Sequence, residues 1–337
     1  MTAGAATACS PSFSLRQDAV KTTRARRETR VPIFSMASDP IRWRRRTLQK
    51  MLPCLQAEAT LRQRFPGDTS VISIAVSSQK GGVGKTTVSI NMAHAFARAG
   101  LRTLLVDADP QGSVGLSLTR QSRMLSGFYD YLADPGIPLE RLLVPTRLET
   151  FSLVAAGQAS DYEVGGAPIG AHLARVRGFL RAVEARGFDL CLVDTPAGLF
   201  GLTADIIASC DAVLVPQQAE PLGIRSVPKM LEGLNRLRVI HPRLMVLGVL
   251  MTMVQQDMAE SRESVAALRQ LLPGDLVLRT TIPRDGLFVK ASARGLPVGV
   301  LEEGAGALAV FDALRAEIEG KLERSGSPIH PRRDGSA

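Results

Sequence analysis

The residues best placed to do chemistry lie between Ser77 and Ser89, in the run SSQKGGVGKTTVS. A phosphate-binding loop of the form Gly-x-x-x-x-Gly-Lys-Ser/Thr ends on Gly84-Lys85-Thr86 here, with Lys80 in the place of the first glycine. Gly81, Gly82 and Gly84, with Val83 between them, allow the backbone to turn its N–H groups inward around phosphate oxygens. Lys85 is spaced to reach the β- and γ-phosphates of a nucleotide, and the Thr86 hydroxyl, followed by Thr87, to ligate Mg²⁺. A helix opening at Lys85 would add its positive amino end. Lys80 is a second lysine that an ordinary phosphate loop does not need.

Such a loop must sit between a strand and a helix, and both are legible. VISIAV (71–76) is a short apolar, β-branched run suited to a buried parallel strand. Beyond the loop, Val88, Met92, Ala95, Phe96 and Ala99 share one helical face, and Gly100 stands where a helix cap belongs. Two further apolar runs, RTLLVDADPQG and FDLCLVDTPAG, carry Asp107, Asp109 and Asp194 at their carboxyl ends. In open parallel sheets ligands bind beyond those ends, so the three carboxylates should gather at the loop. Asp194 is the expected Walker B acid, which helps to hold Mg²⁺. Asp107 divides evenly between a nucleotide contact and a structural role, since strand-end aspartates often form caps and turns.

Runs expected as strands fall at 71–76, 101–107, 151–155, 189–193, 212–216, 245–252 and 277–281, alternating with helical stretches. The alternation predicts an α/β fold, a doubly wound and mostly parallel sheet with helices on both faces. With 337 residues and 45% hydrophobic content, the chain can bury one large core and carry an extension.

KGGVGKTT, LLVDADPQGS and LVDTPAG together resemble the deviant Walker A, A′ and Walker B motifs of the ParA/MinD family of ATPases. They are most similar to its ParA partition branch, where Asp-Pro-Gln-Gly is typical. The similarity continues through AVLVPQQAEPLGIRSV, GVLMTM and TTIPRDGLFVKASARGLPV, and spans about Val71 to Leu322. It implies the P-loop NTPase fold, ATP and Mg²⁺ as ligands, and a homodimer that sandwiches two ATP molecules. Within that dimer the resemblance assigns Lys80 to the partner's nucleotide, Asp109 to the attacking water, Lys85 to the phosphates, and Thr86 and Asp194 to magnesium. It further places adenine contacts near Met253 and Pro283, and implies slow hydrolysis stimulated by a ParB-like or other partner protein. The acting state would segregate or position DNA or another large cargo.

Charge bears on the cargo. The net charge is +9, and residues 1–67 alone carry thirteen Lys/Arg against four Asp/Glu, so the remainder is neutral on balance. Affinity for DNA phosphates must then come from local patches or from the amino-terminal segment. Residues 1–35 have the composition of a disordered basic segment, or of sequence upstream of a true start at Met36. Residues 36–67 predict a basic amphipathic helical extension with Trp43, Leu48, Met51, Leu52 and Leu55 on its apolar side; 68–324 form the ATPase domain and 325–337 a polar disordered tail. Arg225, Lys229, Arg236 and Arg238 offer a basic stretch at helical spacing, which an ordinary solvated helix face would also explain. Asp257 stands where the family usually has an arginine, with Arg262 five residues on as a possible substitute.

Other readings are weaker. A membrane-associated relative like MinD would end in an amphipathic helix, whereas this chain ends in ERSGSPIHPRRDGSA; only the amino-terminal helix could substitute. An orphan relative would distribute a protein complex with the same core. An iron–sulfur relative needs a cysteine soon after Asp194, and a tyrosine kinase relative needs a tyrosine-rich tail; neither is present. A non-catalytic nucleotide-binding module would have lost Lys85 or Asp109. The longest uncharged apolar run, near LMVLGVLMTMV, is about half of what a membrane-spanning helix needs. Cys9, Cys54, Cys191 and Cys210 lack metal-type spacing, which with no evident secretory signal predicts a reducing, cytoplasmic setting, nucleoid-associated if DNA is bound.

Overall fold

The computed structural model describes residues 70–118, 125–158 and 167–331. The expected basic segment and helical extension (1–67), Cys9, Cys54 and Tyr162 lie outside these residues.

Eight strands form one sheet: β1 (Ile72–Val76), β2 (Thr103–Asp107), β3 (Leu143–Pro145), β4 (Phe151–Val154), β5 (Leu190–Asp194), β6 (Ala212–Gln218), β7 (Met245–Val254) and β8 (Val277–Pro283). Their spatial order is β3-β4-β2-β5-β1-β6-β7-β8. Every pairing is parallel except β3 with β4. Seven of the strands fall on the expected runs. The eighth, β3, was not expected: three residues ending in Pro145 give no alternating pattern, and an edge is where a proline without an N–H is tolerated.

Two apolar layers cover the sheet. One packs α1 (Lys85–Arg98), α9 (Gly286–Arg294) and α10 (Ala305–Arg324) against the side chains of Ile72, Ile74, Val76, Leu105, Leu192 and Leu214. The other packs α3 (Phe128–Ala133), α4 (Leu173–Ala185), α5 (Gly201–Ile207), α7 (Val227–Leu237) and α8 (Ala259–Leu271) against Ala75, Val106, Val193, Val213 and Val215. Alternate residues of β1 thus face opposite layers, as the two-residue period of a strand requires. Short helices α2 (Ser113–Leu118) and α6 (Pro221–Ile224) complete the connections.

α1 begins at Lys85 and ends at Arg98, with Gly100 at φ +92° just beyond it, a conformation that favours glycine. Its burial exceeds the single expected face. Every residue from Val88 to Ala97 is buried, because α10 lies against the side turned away from the sheet. Phe311, Leu314, Ile318 and Leu322 of α10 are each at most 1% exposed. The chain then continues in contact with the body: Ser327 and Ile329, in the segment expected as a polar tail, are buried, while 332–337 fall outside the described residues. Cys191 and Cys210 are buried free thiols, their pKa values pushed up mainly by burial.

Candidate functional site

β1, β2 and β5 are neighbours, and their carboxyl ends place the chemistry. Asp107 and Asp194 are register partners across β2 and β5, and Val76, the last residue before the loop, pairs with Asp194 on the other side. The loop from Ser77 to Gly84 therefore leaves the sheet directly beside the Asp194 carboxylate. It is fixed from three directions. Ser78 O accepts from Gly198 N at 2.9 Å. Val83 O accepts from the buried Thr252 hydroxyl at 2.8 Å. Gly84, at φ +85°, starts α1 and lies against the end of the Met253 side chain.

The Thr86 hydroxyl donates to Asp194 Oδ2 at 2.7 Å, and the Ser89 hydroxyl to Asp194 Oδ1 at 2.8 Å. Both oxygens of a fully buried carboxylate are thereby satisfied by α1. Burial raises the Asp194 pKa to about 6 against the hydrogen bonds from Thr86 and Ser89 and the charge of Lys85. Thr86 and Asp194 are hard oxygen donors held face to face, the donor set magnesium prefers when substrate phosphates complete its shell. Magnesium fits the residues present.

Asp107 is equally buried, yet its oxygens turn to the chain. Oδ2 accepts from Val114 N at 2.9 Å and Gly115 N at 3.1 Å, and Oδ1 from Asp109 N at 3.2 Å. Burial, and then the charge of Asp194, raise its pKa to about 7. Of the two roles open to Asp107, this geometry is the structural one: the carboxylate clamps the turn that carries Asp109. From below, the buried Tyr129 hydroxyl donates to Ala108 O at 2.9 Å. Asp109 itself is half-buried at the rim and accepts from Gln111 N at 3.0 Å.

Lys80 is exposed, and its ammonium donates to Leu222 O of α6 at 3.0 Å. Met253 sits at φ +53°, the one described residue other than glycine with positive φ, close to the loop. Backbone strain of this kind collects at functional sites. Pro283 ends β8 as the register partner of Val254, at the same edge. Among the expected basic residues, Arg225 and Lys229 are exposed one turn apart. Arg236 pairs with Glu232 at 3.7 Å, the Arg238 side chain donates to Leu244 O at 3.0 Å, and Arg262 donates to Gln256 O at 2.6 Å. Asp257 is exposed.

Ser89, Thr252, Tyr129 and Leu222 are site residues that the sequence reading missed. Ser89 had a signal, since it lies one turn beyond Lys85 and Thr86 on the same helix. The others act across the fold and had none.

A doubly wound parallel sheet with this loop between β1 and α1 defines a P-loop nucleotide-binding ATPase. The comparisons agree. A family model described as "AAA domain" matches residues 71–245. The chromosome-partitioning ATPase Soj of Thermus thermophilus is 37% identical over 226 residues, 66% of this chain and 85% of that protein. The chromosome partitioning protein ParA of Caulobacter vibrioides is 33% identical over 257 residues, 74% of this chain and 95% of that one. Among solved structures, cobyrinic acid a,c-diamide synthase from Mycobacterium smegmatis with bound ADP and magnesium aligns with a TM-score of 0.59 and 28% identity, over 77% of this chain and 99% of that one. The chain belongs to the ParA/MinD family of ATPases, in its ParA branch.

Proposed function

We propose that the chain is an ATP-driven dimerising switch that positions or segregates a large cargo, with DNA as the matrix. The observation that carries this reading is Lys80. It is a second lysine in the phosphate loop, exposed, and tied in the single chain only to a backbone carbonyl that a phosphate would outcompete. In an ATP-bound pair, Lys80 of each chain would cross to the other's phosphates and lend positive charge where the γ-phosphate leaves.

The remaining roles follow from placement. The Gly81–Gly84 backbone and Lys85 bind and orient the phosphates, with Thr87 beside them and Met253 and Pro283 towards the base. Thr86 and Asp194 would hold Mg²⁺, which when bound neutralises charge on the phosphate oxygens. Asp109 orients the attacking water from a turn made rigid by Asp107 and Tyr129. On this reading turnover is slow, and a ParB-like or other partner raises it.

The partitioning roles in the names of the Thermus and Caulobacter relatives support DNA as the matrix. Arg225 and Lys229 are the exposed basic pair open to it, together with the amino-terminal segment. A second reading has its own support: with Asp257 exposed and Arg262 folded onto Gln256 O, the family's usual basic position is not restored. On that reading the same switch distributes a protein complex. No helix among the described residues is long and apolar enough to cross a membrane; we place the protein in the cytoplasm, nucleoid-associated if DNA is bound.

Sedimentation of the full chain with ATP or ADP tests the switch, and duplex binding against salt tests the matrix. A dimer formed with ATP alone supports the reading; a nucleotide-independent monomer overturns it. DNA binding that requires ATP and weakens steeply with salt selects DNA over a protein cargo.

A further inference from the structure

At the other end of the sheet, the amino ends of β1 and β6 and the turn before β7 enclose a cavity of about 380 Å³. Its wall includes Ser73, Arg177, Glu184, Asp211, His241 and Arg243. It opens on the opposite edge from the phosphate loop, at least the length of β1 away, roughly 15 Å.

The polar groups there are unevenly satisfied. Asp211 is engaged: its Oδ2 accepts from Ser73 N at 2.9 Å and the Ser73 hydroxyl at 2.6 Å. Arg177 is half-buried and Arg243 exposed, and among the described residues neither has a hydrogen bond or a carboxylate within 4.0 Å. His241 Nδ1 is buried with no hydrogen-bond partner. Burial lowers the His241 pKa, Asp211 and a hydrogen bond with the Cys210 backbone oppose this, and Arg177 and Arg243 push it down further, so the two guanidinium charges bear on one imidazole from α4 and from the turn before β7. A half-buried guanidinium group without an acceptor, as Arg177 is, is costly, and a fork of donors matches the oxygens of a doubly charged anion.

We infer that this cavity is a second anion site, in which Arg177 and Arg243 grip a phosphate-bearing ligand beside the His241 imidazole. Two guanidinium groups neutralise a phosphoryl dianion, where a single carboxylate would leave one charge over. Arg181 adds a third positive group to the wall, against which Glu184 and Asp211 leave a small net positive charge, and this favours a compact phosphoryl group seated on Arg177 and Arg243 over a long polyanion. The chemistry is shared by a free polyphosphate and by a terminal phosphate monoester, each of which presents a doubly charged group. The inference goes beyond the proposed switch and does not depend on it.

The test is calorimetric titration of inorganic pyrophosphate into the full chain held with excess Mg²⁺ and saturating ADP, so that the phosphate loop is already filled. ADP retention is followed in parallel. The expected result is one further site per chain, weakened roughly tenfold or more in R177A/R243A and measurably in R243A alone, an exposed position whose loss does not threaten the fold. Pyrophosphate that fails to bind the ADP-loaded protein overturns the inference, as does binding that R243A and the double variant leave unchanged. An oligonucleotide with a 5′-phosphate that displaces pyrophosphate, where the same oligonucleotide without it does not, identifies a phosphate monoester as the source, and one that fails to displace it identifies the free ion. ATP turnover of R243A stays at the wild-type level, which keeps failure here distinct from failure of the switch.

Discussion

Thr86 and Asp194 touch through a 2.7 Å hydrogen bond that ties the first turn of α1 to the end of β5, across 108 positions of sequence. On the proposed reading the same pair would supply the oxygens for magnesium, and the hydrogen bond holds the two donors close together. Asp194→Asn should preserve the fold, since the amide oxygen still accepts from one of the two hydroxyls and its NH₂ can donate to the oxygen of the other. It should lower ATP turnover by roughly 10²- to 10³-fold, in line with the removal of one electrostatic group from a phosphoryl-transfer site. Steady-state ATPase assays across a magnesium titration would check this, and near wild-type turnover would sink the assignment.

Lys80 leaves a different signature. Lys80→Ala removes only a carbonyl contact in the single chain, so ATP affinity of the monomer should change less than twofold to threefold. Turnover and ATP-dependent self-association should both be lost. Equilibrium binding of a fluorescent ATP analogue, set beside sedimentation, separates the two; a large loss of monomer affinity would mean Lys80 serves its own nucleotide.

The turn carrying Asp109 rests on Tyr129. Tyr129→Phe deletes the hydroxyl that donates to Ala108 O and leaves that carbonyl short of a partner, at a cost of about 1–3 kcal/mol. Urea denaturation should show the loss. Turnover should fall more than ATP affinity if, as proposed, the turn positions water and not nucleotide.

Two buried carboxylates side by side make the apo protein sensitive to pH. Folding raises Asp107 to about 7 and Asp194 to about 6, both above the ordinary carboxylate value. The folded chain therefore binds more protons than the unfolded one between pH 4 and pH 7. The contribution of these groups is complete below about pH 4 and declines as pH rises through 6 and 7. In magnesium-free buffer, the urea midpoint should fall over that window on their account, and Asp107→Asn should flatten the slope by removing the second charge. A slope identical in the variant would show that the pair does not govern it.

What the sequence disclosed follows the range of each interaction. The phosphate loop, the strands ending on Asp107 and Asp194, and the cap at Gly100 are written in contiguous residues whose period or chemistry is local. Asp107 was half-legible: its type and place were plain, but a carboxylate's choice between a ligand and backbone N–H groups depends on how the following turn folds back. β3 was invisible because three residues with a terminal proline carry no period. The contact of Lys80 with Leu222 O and the support of Val83 by Thr252 join positions 142 and 169 residues apart, and nothing local encodes them. The burial of α1 on all sides was likewise unreadable, since an apolar face shows that a helix packs but not how many neighbours it has.

That burial has a consequence for the order in which the protein can be made. α1 carries the phosphate loop, yet its outer side is covered by Phe311, Leu314, Ile318 and Leu322 near the far end of the chain. Synthesis runs from the amino end, so more than two hundred residues are added before α10 can seal α1. A ribosome-bound chain thus carries the complete nucleotide-binding motif long before it carries a finished nucleotide site. A chain cut before α10 would leave the outer side of α1 uncovered, and on the proposed reading it would be an inert protein and not a misfiring switch.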